Sequence, residues 1–229
     1  MTAERPAGWV PSPIGPGWGR WLGRFLARVV WNTTVVGRER VPQEGPVVLA
    51  ANHVALIDGP IFIGIAPRGL HCITKQELFK GPLGLLLRAG GQIPVDRSNG
   101  RAALQSALGV LRRGGAIGIF PEGNRGRGAV EDVRAGAAWL AVHGSAQLVP
   151  VAILGTRLTG ESVGHVPGVR RRFYVEFGEP LDAPAEGPAR LRIGATSDLL
   201  RDAMAELVSG AQERSGLLLP ADDPRRPAT

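Results

Sequence analysis

Short apolar runs of strand character alternate, over most of this chain, with segments whose apolar residues recur at helical spacing. The runs that predict strands are 47–51, 70–74, 92–95, 116–120 and 147–154, with a later one at 171–177. The segments that predict helices are 58–65, 81–88, 101–111 and 136–143, with a polar, amphipathic closing helix at 190–213. Such alternation predicts a single α/β domain with a mixed, mostly parallel sheet flanked by helices.

A histidine and an aspartate follow the first of these strands. His53 and Asp58 stand where the strand 47–51 is expected to run into a turn, and catalytic groups gather at the carboxyl ends of strands in α/β domains. Because imidazole titrates near neutrality, a carboxylate that fixes its tautomer can make it a general base. The pair by itself also fits a strand-end histidine bonded to solvent, beside an aspartate that caps a helix starting at Gly59 or Pro60.

A second polar cluster follows the strand 116–119. Residues 120–128 read Phe-Pro-Glu-Gly-Asn-Arg-Gly-Arg-Gly, and we expect this loop to open on the same edge of the sheet as His53. Arg125 offers a planar fork of donors, and the glycines let main-chain N–H groups come close to an anion. The loop therefore has the composition of an anion-binding turn, with Arg127 expected to face water.

The charge balance favours partners that carry phosphate. The chain has 27 Lys+Arg against 20 Asp+Glu, which suits anionic lipid, a phosphorylated small molecule or nucleic acid. A nucleic-acid-binding module is disfavoured because the arginines are scattered, aromatic residues make up only 5% and no binding motif is present. We predict no metal site, since His71, His143 and His165 lack ligand spacing, and Cys72, the one cysteine, lies in an apolar run as a packed thiol.

The first thirty-one residues combine a Pro/Gly-rich lead-in with a helical pattern. Apolar residues recur at helical spacing from Trp18 to Val30, while Arg20, Arg24 and Arg28 step along another face, and Gly19 and Gly23 weaken the helix in water. This composition fits a helix lying in a bilayer interface, an amphipathic helix packed on the domain, or a mixture of both. We expect neither a secretion signal nor a spanning helix, because no stretch reaches the ~18 apolar residues that spanning needs.

Four sequence blocks in order resemble the motifs of the glycerolipid acyltransferases, typified by bacterial lysophosphatidate acyltransferase. They are Asn52 to Asp58, Lys75 to Phe79 leading to Ile93 to Arg97, Phe120 to Gly128, and Leu148 to Ile153, and the resemblance covers roughly residues 30 to 180. The chain departs from the family at Asn124 and Gly126, where members usually carry threonine and serine. The resemblance therefore leaves the preference for acceptor and acyl chain open.

The resemblance implies transfer of a fatty acyl group from acyl-CoA or acyl carrier protein to 1-acylglycerol 3-phosphate, giving phosphatidate. Glycerol 3-phosphate or another lysolipid is the alternative acceptor. The alternative from a different functional class is a lipid-binding relative that does not catalyse a reaction. His53 would remove the hydroxyl proton and Asp58 would fix its tautomer. We expect no covalent acyl-enzyme, because the chain has no Gly-x-Ser-x-Gly elbow, and no cofactor beyond the acyl thioester.

The resemblance also assigns the remaining site residues. Glu122, Gly123 and Arg125 match the acceptor site, and Lys75 and Arg97 match basic positions implied to contact phosphate. A solvated Lys75 and an Arg97 paired with Asp96 are the competing structural interpretations. Two further residues join the substrate-binding set, namely Asn52, which would orient the base or cap the turn, and Pro150, which would shape the pocket wall.

Three regions follow from this reading. Residues 1–31 form the lead-in and a membrane-interface helix, 32–215 the acyltransferase domain, and 216–229 a flexible tail. The expected partners are a lysophospholipid, acyl-CoA or acyl carrier protein, and an anionic membrane surface, with no nucleic acid. The expected location is peripheral, at the cytoplasmic face of the cell membrane.

Overall fold

A computed structural model describes residues 9–96, 100–123, 125–130 and 133–223. Within these ranges the strands are β1 (Asn32–Val36), β2 (Val47–Ala51), β3 (Leu70–Lys75), β4 (Ile93–Val95), β5 (Ala116–Ile119), β6 (Gln147–Leu154) and β7 (Arg172–Phe177). The α-helices are α1 (Gly15–Phe25), α2 (Asp58–Ile65), α3 (Gly81–Ala89), α4 (Arg101–Arg112), α5 (Gly136–Gly144) and α6 (Ala189–Ser215). Every strand and helix predicted from the sequence is present. The ends agree within two residues except at the N-terminal helix, which begins at Gly15 instead of Trp18 and becomes π-helical over Leu26–Val30.

The strands form one sheet in the order β1-β7-β6-β2-β5-β3-β4. Only β6 and β7 pair antiparallel, and the other neighbours are parallel because a helix or a long segment returns the chain between them. The predicted mixed, mostly parallel sheet is therefore confirmed. Strand β1 was not predicted from the sequence; it is an edge strand whose residues alternate between exposed and half-buried positions.

The sheet lies between two helical layers, and β2 at its centre is buried on both faces. Val47, Leu49 and Ala51 pack into the core cluster beneath α2, while Val48 and Ala50 pack into the cluster beneath α4, α5 and α6. Each large aliphatic side chain buried in this way contributes about 1.5–3 kcal/mol. The rigid centre of the sheet thus carries the loop that contains His53.

The N-terminal helix packs through small residues. A Cβ atom on Gly23 would lie 2.6 Å from the carbonyl oxygen of Pro60, and one on Gly15 would lie 2.5 Å from that of Ala89. Ala27, one helical step further along this face, is buried in the core. Gly23, one of the two glycines that weaken the helix in isolation, therefore gives it close contact with α2. The helix packs on the domain, although part of its apolar stripe stays exposed.

Most of the apolar stripe that starts in α1 remains exposed, although Leu26 and Val30 pack against the core. Trp21 is 78% exposed, Phe25 is 50% exposed, and Val29, in the π-helical turn Leu26–Val30 that extends α1, is 57% exposed. In the part of the chain that the structure describes, no helix has both the length and the hydropathy required to cross a bilayer.

The chain beyond α6 turns back across the domain. The N–H of Leu219 donates to Gln212 Oε1 at 2.9 Å, and the N–H of Ala221 donates to Thr159 Oγ1 at 3.0 Å. Leu219 also packs against both core clusters. The first part of the predicted tail, up to residue 223, is thus held against the domain, and residues 224–229 lie outside the described ranges.

Candidate active site

His53 and Asp58 contact each other directly. Asp58 is the first residue of α2 and is fully buried, and its Oδ2 lies 2.8 Å from His53 Nδ1. The same oxygen accepts the backbone N–H groups of Val54 and Ala55, each at 2.8 Å. Asp58 therefore caps the turn that precedes α2. An ionised carboxylate only accepts hydrogen bonds, so Nδ1 carries the proton and the lone pair of Nε2 is left to accept one.

The surroundings of His53 keep its ring neutral. Burial lowers the pKa of His53 below its usual value, the hydrogen bond and charge of Asp58 raise it, and the charges of Arg125 and Lys75 lower it again. The net effect is a lowered pKa, so the imidazole is unprotonated at neutral pH. With its side chain 12% exposed, the ring is still open to a reactant from outside.

The loop after β5 holds His53 from the other side. The Phe120 ring stacks on the imidazole with centroids 4.0 Å apart and an interplanar angle of 18°. Glu122 Oε1 accepts the backbone N–H of His53 at 2.9 Å, and the N–H of Gly126 donates to the His53 carbonyl at 3.0 Å. The two loops meet because β2 and β5 are parallel neighbours, which confirms that they share one sheet edge.

Glycine is required where this second loop passes closest to the first. Gly128 has φ +74°, and a Cβ atom there would lie 2.5 Å from Val54 Cγ1 and 2.9 Å from Asn52 Nδ2. Gly123 also has positive φ, and its N–H donates to the Phe120 carbonyl at 3.0 Å. Any larger residue at Gly128 would push the two loops apart.

Two of the predicted cations lie near the histidine. Lys75 ends β3 and Arg125 lies in the loop after β5, both partly buried, and both act on the pKa of His53 through their charges. Arg127 is exposed, as expected. Arg97 and Asn124 lie outside the described residues. The site therefore joins a neutral, oriented imidazole to a positively charged surround.

Comparison with known proteins shows which family this chain belongs to. Residues 32–154, more than half of the chain, match the family model described as Acyltransferase. This chain belongs to the acyltransferase family. The 1-acyl-sn-glycerol-3-phosphate acyltransferase of Bacillus subtilis (strain 168) is 32% identical over 180 residues, which cover 76% of this chain and 86% of that protein.

Two further proteins are similar to this chain over part of its length or in fold. The protein of the same name from Borreliella burgdorferi is 33% identical over 53% of this acyltransferase, which spans only 51% of that relative. The crystal structure of the 1-acyl-sn-glycerophosphate (LPA) acyltransferase PlsC from Thermotoga maritima superposes with a TM-score of 0.64 at 23% identity, covering 84% of this chain and 79% of that chain. That likeness shows that the two share a fold.

Asn52 is a buried connector between strands in this acyltransferase. Its Nδ2 donates to the Ile153 carbonyl at 3.1 Å, and its Oδ1 accepts the Ile153 N–H at 2.7 Å. Because β6 is the neighbour of β2, these two bonds fix the start of the histidine loop to β6. The geometry gives Asn52 a positioning contact, and contact with substrate stays a prediction.

Pro150 lies away from the histidine loop. It pairs with Ala50 in the middle of the sheet, three residues before Ile153, which places it about 10 Å down the strand from the sheet edge. Its carbonyl accepts the N–H of Gly178, and it lines a cleft with Glu176 on the α6 side. The structure therefore does not bring Pro150 together with His53.

Several contacts of the acyltransferase site were not foreseen from its sequence. The stacking of Phe120 and the backbone contacts of Glu122 and Gly126 lie inside the recognised block, but their partners do not follow from spacing. The pair of Arg157 and Asp222 was not predicted, since neither residue belongs to a motif. The position of Arg157 three residues after the buried strand β6 was the one available signal.

Proposed function

We propose that this chain is a peripheral membrane enzyme that acylates 1-acyl-sn-glycerol 3-phosphate to phosphatidate, with acyl-CoA or acyl carrier protein as donor. The single observation that carries the proposal is the 2.8 Å contact between His53 Nδ1 and the buried Asp58 carboxylate, which leaves Nε2 able to take a proton. The names of the Bacillus and Borreliella relatives support the choice of acceptor.

The chemical step needs a base because an alcohol is a poor nucleophile at neutral pH. Nε2 of His53 takes the proton of the acceptor hydroxyl as its oxygen attacks the thioester carbonyl carbon. The tetrahedral intermediate collapses by breaking the carbon–sulfur bond, and the imidazolium returns its proton to the departing thiolate. Asp58 stabilises the imidazolium throughout, so the acyl group passes directly from donor to acceptor.

The acceptor phosphate is assigned to the cationic loop beside the base. Arg125, with Lys75 and Arg97, would neutralise the phosphate, and the turn at Gly123 would let backbone N–H groups approach it. Glu122 already contacts the backbone of His53, so its part in this scheme is to hold the phosphate loop on the histidine loop. Binding the phosphate there would place the free hydroxyl of the lysolipid near Nε2.

A membrane surface fits α1. Its exposed apolar face, Trp21, Phe25 and Val29, runs beside an arginine face, and burial together with the charges of Arg24, Arg28 and Arg20 lowers the pKa of Arg38. Repulsion of this kind within a cationic cluster is relieved by an anionic partner. We assign the cluster to lipid headgroups and the apolar face to the bilayer interface, on the cytoplasmic side where the acyl donors are found.

A direct assay tests the proposal. Purified full-length protein is supplied with lysophosphatidate, glycerol 3-phosphate or a neutral-headgroup lysolipid, each with acyl-CoA and with acyl carrier protein, in mixed anionic vesicles. We expect transfer to lysophosphatidate with the highest kcat/KM. A preference for glycerol 3-phosphate would support the alternative acceptor, and absence of transfer to all of them would contradict the proposal.

A further inference from the structure

Arg157 is a buried cation just beyond the end of β6. Its side chain has no exposed surface, yet it belongs to none of the motifs of the site. Nη1 donates to the Glu161 carbonyl at 3.0 Å and to Asp222 Oδ2 at 2.8 Å, and Nη2 donates to the Asp222 carbonyl at 2.9 Å. A guanidinium loses its hydration on burial, so these partners are required to keep it there.

The carboxylate that pairs with Arg157 comes from the segment after α6. Asp222 is separated from Arg157 by 65 positions in the chain, and its Oδ1 accepts the N–H of Gly160 at 3.3 Å. Leu219, three residues earlier, reaches the loop at Gly128, where its Cδ2 would lie 3.3 Å from an added Cβ atom. The segment therefore touches both the loop after β6 and the loop after β5.

Gly126 connects this pair to the catalytic histidine. Its carbonyl accepts a hydrogen bond from Arg157 Nη2 at 3.4 Å, and its N–H donates to the His53 carbonyl at 3.0 Å. Gly126 lies in the loop that carries Glu122 and Arg125. Movement of Arg157 would therefore shift the loop after β5 relative to His53.

We propose that Arg157, held by Asp222, is a positioning residue that fixes the loop after β5 at Gly126 for the lysolipid acceptor. The inference rests on the proposed function, since it requires that loop to bind the acceptor phosphate. It assigns the segment 217–223 a part in acceptor binding, although no residue of that segment needs to touch the substrate. The geometry of the acceptor site then depends on an ion pair between Arg157, after β6, and Asp222, after α6.

The test uses Asp222→Ala in the full-length protein, with Asp198→Ala as the matched control. Asp198 is also an acidic partner of an arginine, Arg201, but that pair lies exposed on α6. We expect Asp222→Ala to raise the KM for lysophosphatidate about tenfold, the equivalent of ~1.4 kcal/mol, while the KM for acyl-CoA stays within about twofold. Asp222→Asn, which keeps an acceptor oxygen, should give a smaller rise, and Asp198→Ala none.

The double variant Arg157→Met, Asp222→Ala separates positioning from simple loss of stability. Methionine removes the unpaired buried charge, so the double variant should regain thermal stability relative to Asp222→Ala. A positioning role predicts that the KM for lysophosphatidate stays raised. Recovery of that KM together with stability, or an equal rise in the KM values of both substrates, would overturn the proposal.

A comparison with Arg125→Ala keeps this inference distinct from the proposed function. If Arg125→Ala leaves the acceptor KM unchanged, the assignment of the phosphate site fails, whatever Asp222→Ala does. If Arg125→Ala raises it and Asp222→Ala does not, the positioning role fails alone. Hydrogen exchange at residues 125–128 gives a readout without turnover, and we expect faster exchange in Asp222→Ala; unchanged exchange would count against the proposal.

Discussion

His53 is fixed by four contacts that come from two loops. Asp58 bonds its ring, Phe120 stacks on its ring, and Glu122 and Gly126 hold its backbone on either side. A ring held in this way needs little reorganisation before it accepts a proton, which is the advantage of a preorganised site. His53 thus contacts residues of both predicted motifs, Asn52 to Asp58 and Phe120 to Gly128, and joins them into one site.

Replacing the base should remove catalysis with limited effect on folding. We expect His53→Ala to lower kcat for acyl transfer by about 10²–10⁴-fold, the range of general-base contributions. His143→Ala is the matched control, because His143 lies exposed on α5 with its ring against Trp139. Steady-state rates with both substrates saturating provide the measurement, and near wild-type kcat in His53→Ala would refute the assignment.

The helix α1 divides its surface into three faces with different tasks. Gly15 and Gly23 lie on the face that meets the domain, the arginines lie on a second, and Trp21 and Phe25 lie on the exposed apolar face. Deleting residues 1–31 would also remove Trp31, which packs on Phe173 in the core with ring centroids 5.4 Å apart. Point substitutions on the exposed face are therefore the cleaner test of membrane binding.

Substituting the exposed aromatic residues should weaken membrane binding without unfolding the domain. We expect Trp21→Ser with Phe25→Ser to reduce partitioning onto anionic vesicles at least about tenfold, since each side chain would bury apolar surface in lipid. Leu191→Ser with Leu199→Ser, two exposed apolar positions of α6, is the control pair. Co-sedimentation measures the partitioning, and equal binding by the two double variants would argue against α1 as the membrane contact.

At the scale of the whole molecule, the sheet order brings together charges that are far apart in sequence. Besides burial, which lowers it most, the pKa of His53 responds to Asp58 at the start of α2, to Arg125 after β5 and to Lys75 at the end of β3. Strands β2, β5 and β3 are consecutive neighbours in the sheet, so these groups meet at its carboxyl edge. The acid–base behaviour of the site is thus a property of the topology.

This arrangement predicts the pH dependence of the rate. The proposed base, His53, would act unprotonated and its pKa is lowered from 6.5, so we expect kcat/KM to fall only as pH drops below 6.5. Lys75→Met removes a positive charge that disfavours the imidazolium, so the pKa of His53 should rise and the acid limb should move to higher pH. Lys80→Met, at an exposed position before α3, is the control.

Salt provides a check on that shift. Added salt screens the interaction between Lys75 and His53, so the difference between wild type and Lys75→Met should shrink as ionic strength rises. An acid limb that stays in place in Lys75→Met, or moves to lower pH, would contradict the electrostatic account. The measured quantity is the pH at which the acid limb of the kcat/KM profile falls. The maximum value of kcat/KM is not used, because Lys75 is also a proposed phosphate contact and its loss would lower that maximum.

The sequence by itself determined the elements and the pairing of His53 with Asp58. The period of apolar residues and the spacing between His53 and Asp58 are local properties of the sequence. An apolar run of a few residues predicts a strand, and a turn of five residues suffices to bring the carboxylate to the imidazole. The close agreement of strand and helix ends reflects this. The edge strand β1 was not predicted because its residues alternate between exposed and half-buried positions and its apolar run is short.

Only the tertiary structure decided which surfaces meet. Local spacing could not reveal that α1 packs through glycines, that Asn52 bonds Ile153 across 101 positions, or that Asp222 reaches Arg157. A sequence pattern shows which residues are apolar or charged, but the partner of each is chosen by packing between distant elements. For that reason the histidine loop was predictable, whereas the contacts that hold it in place were not.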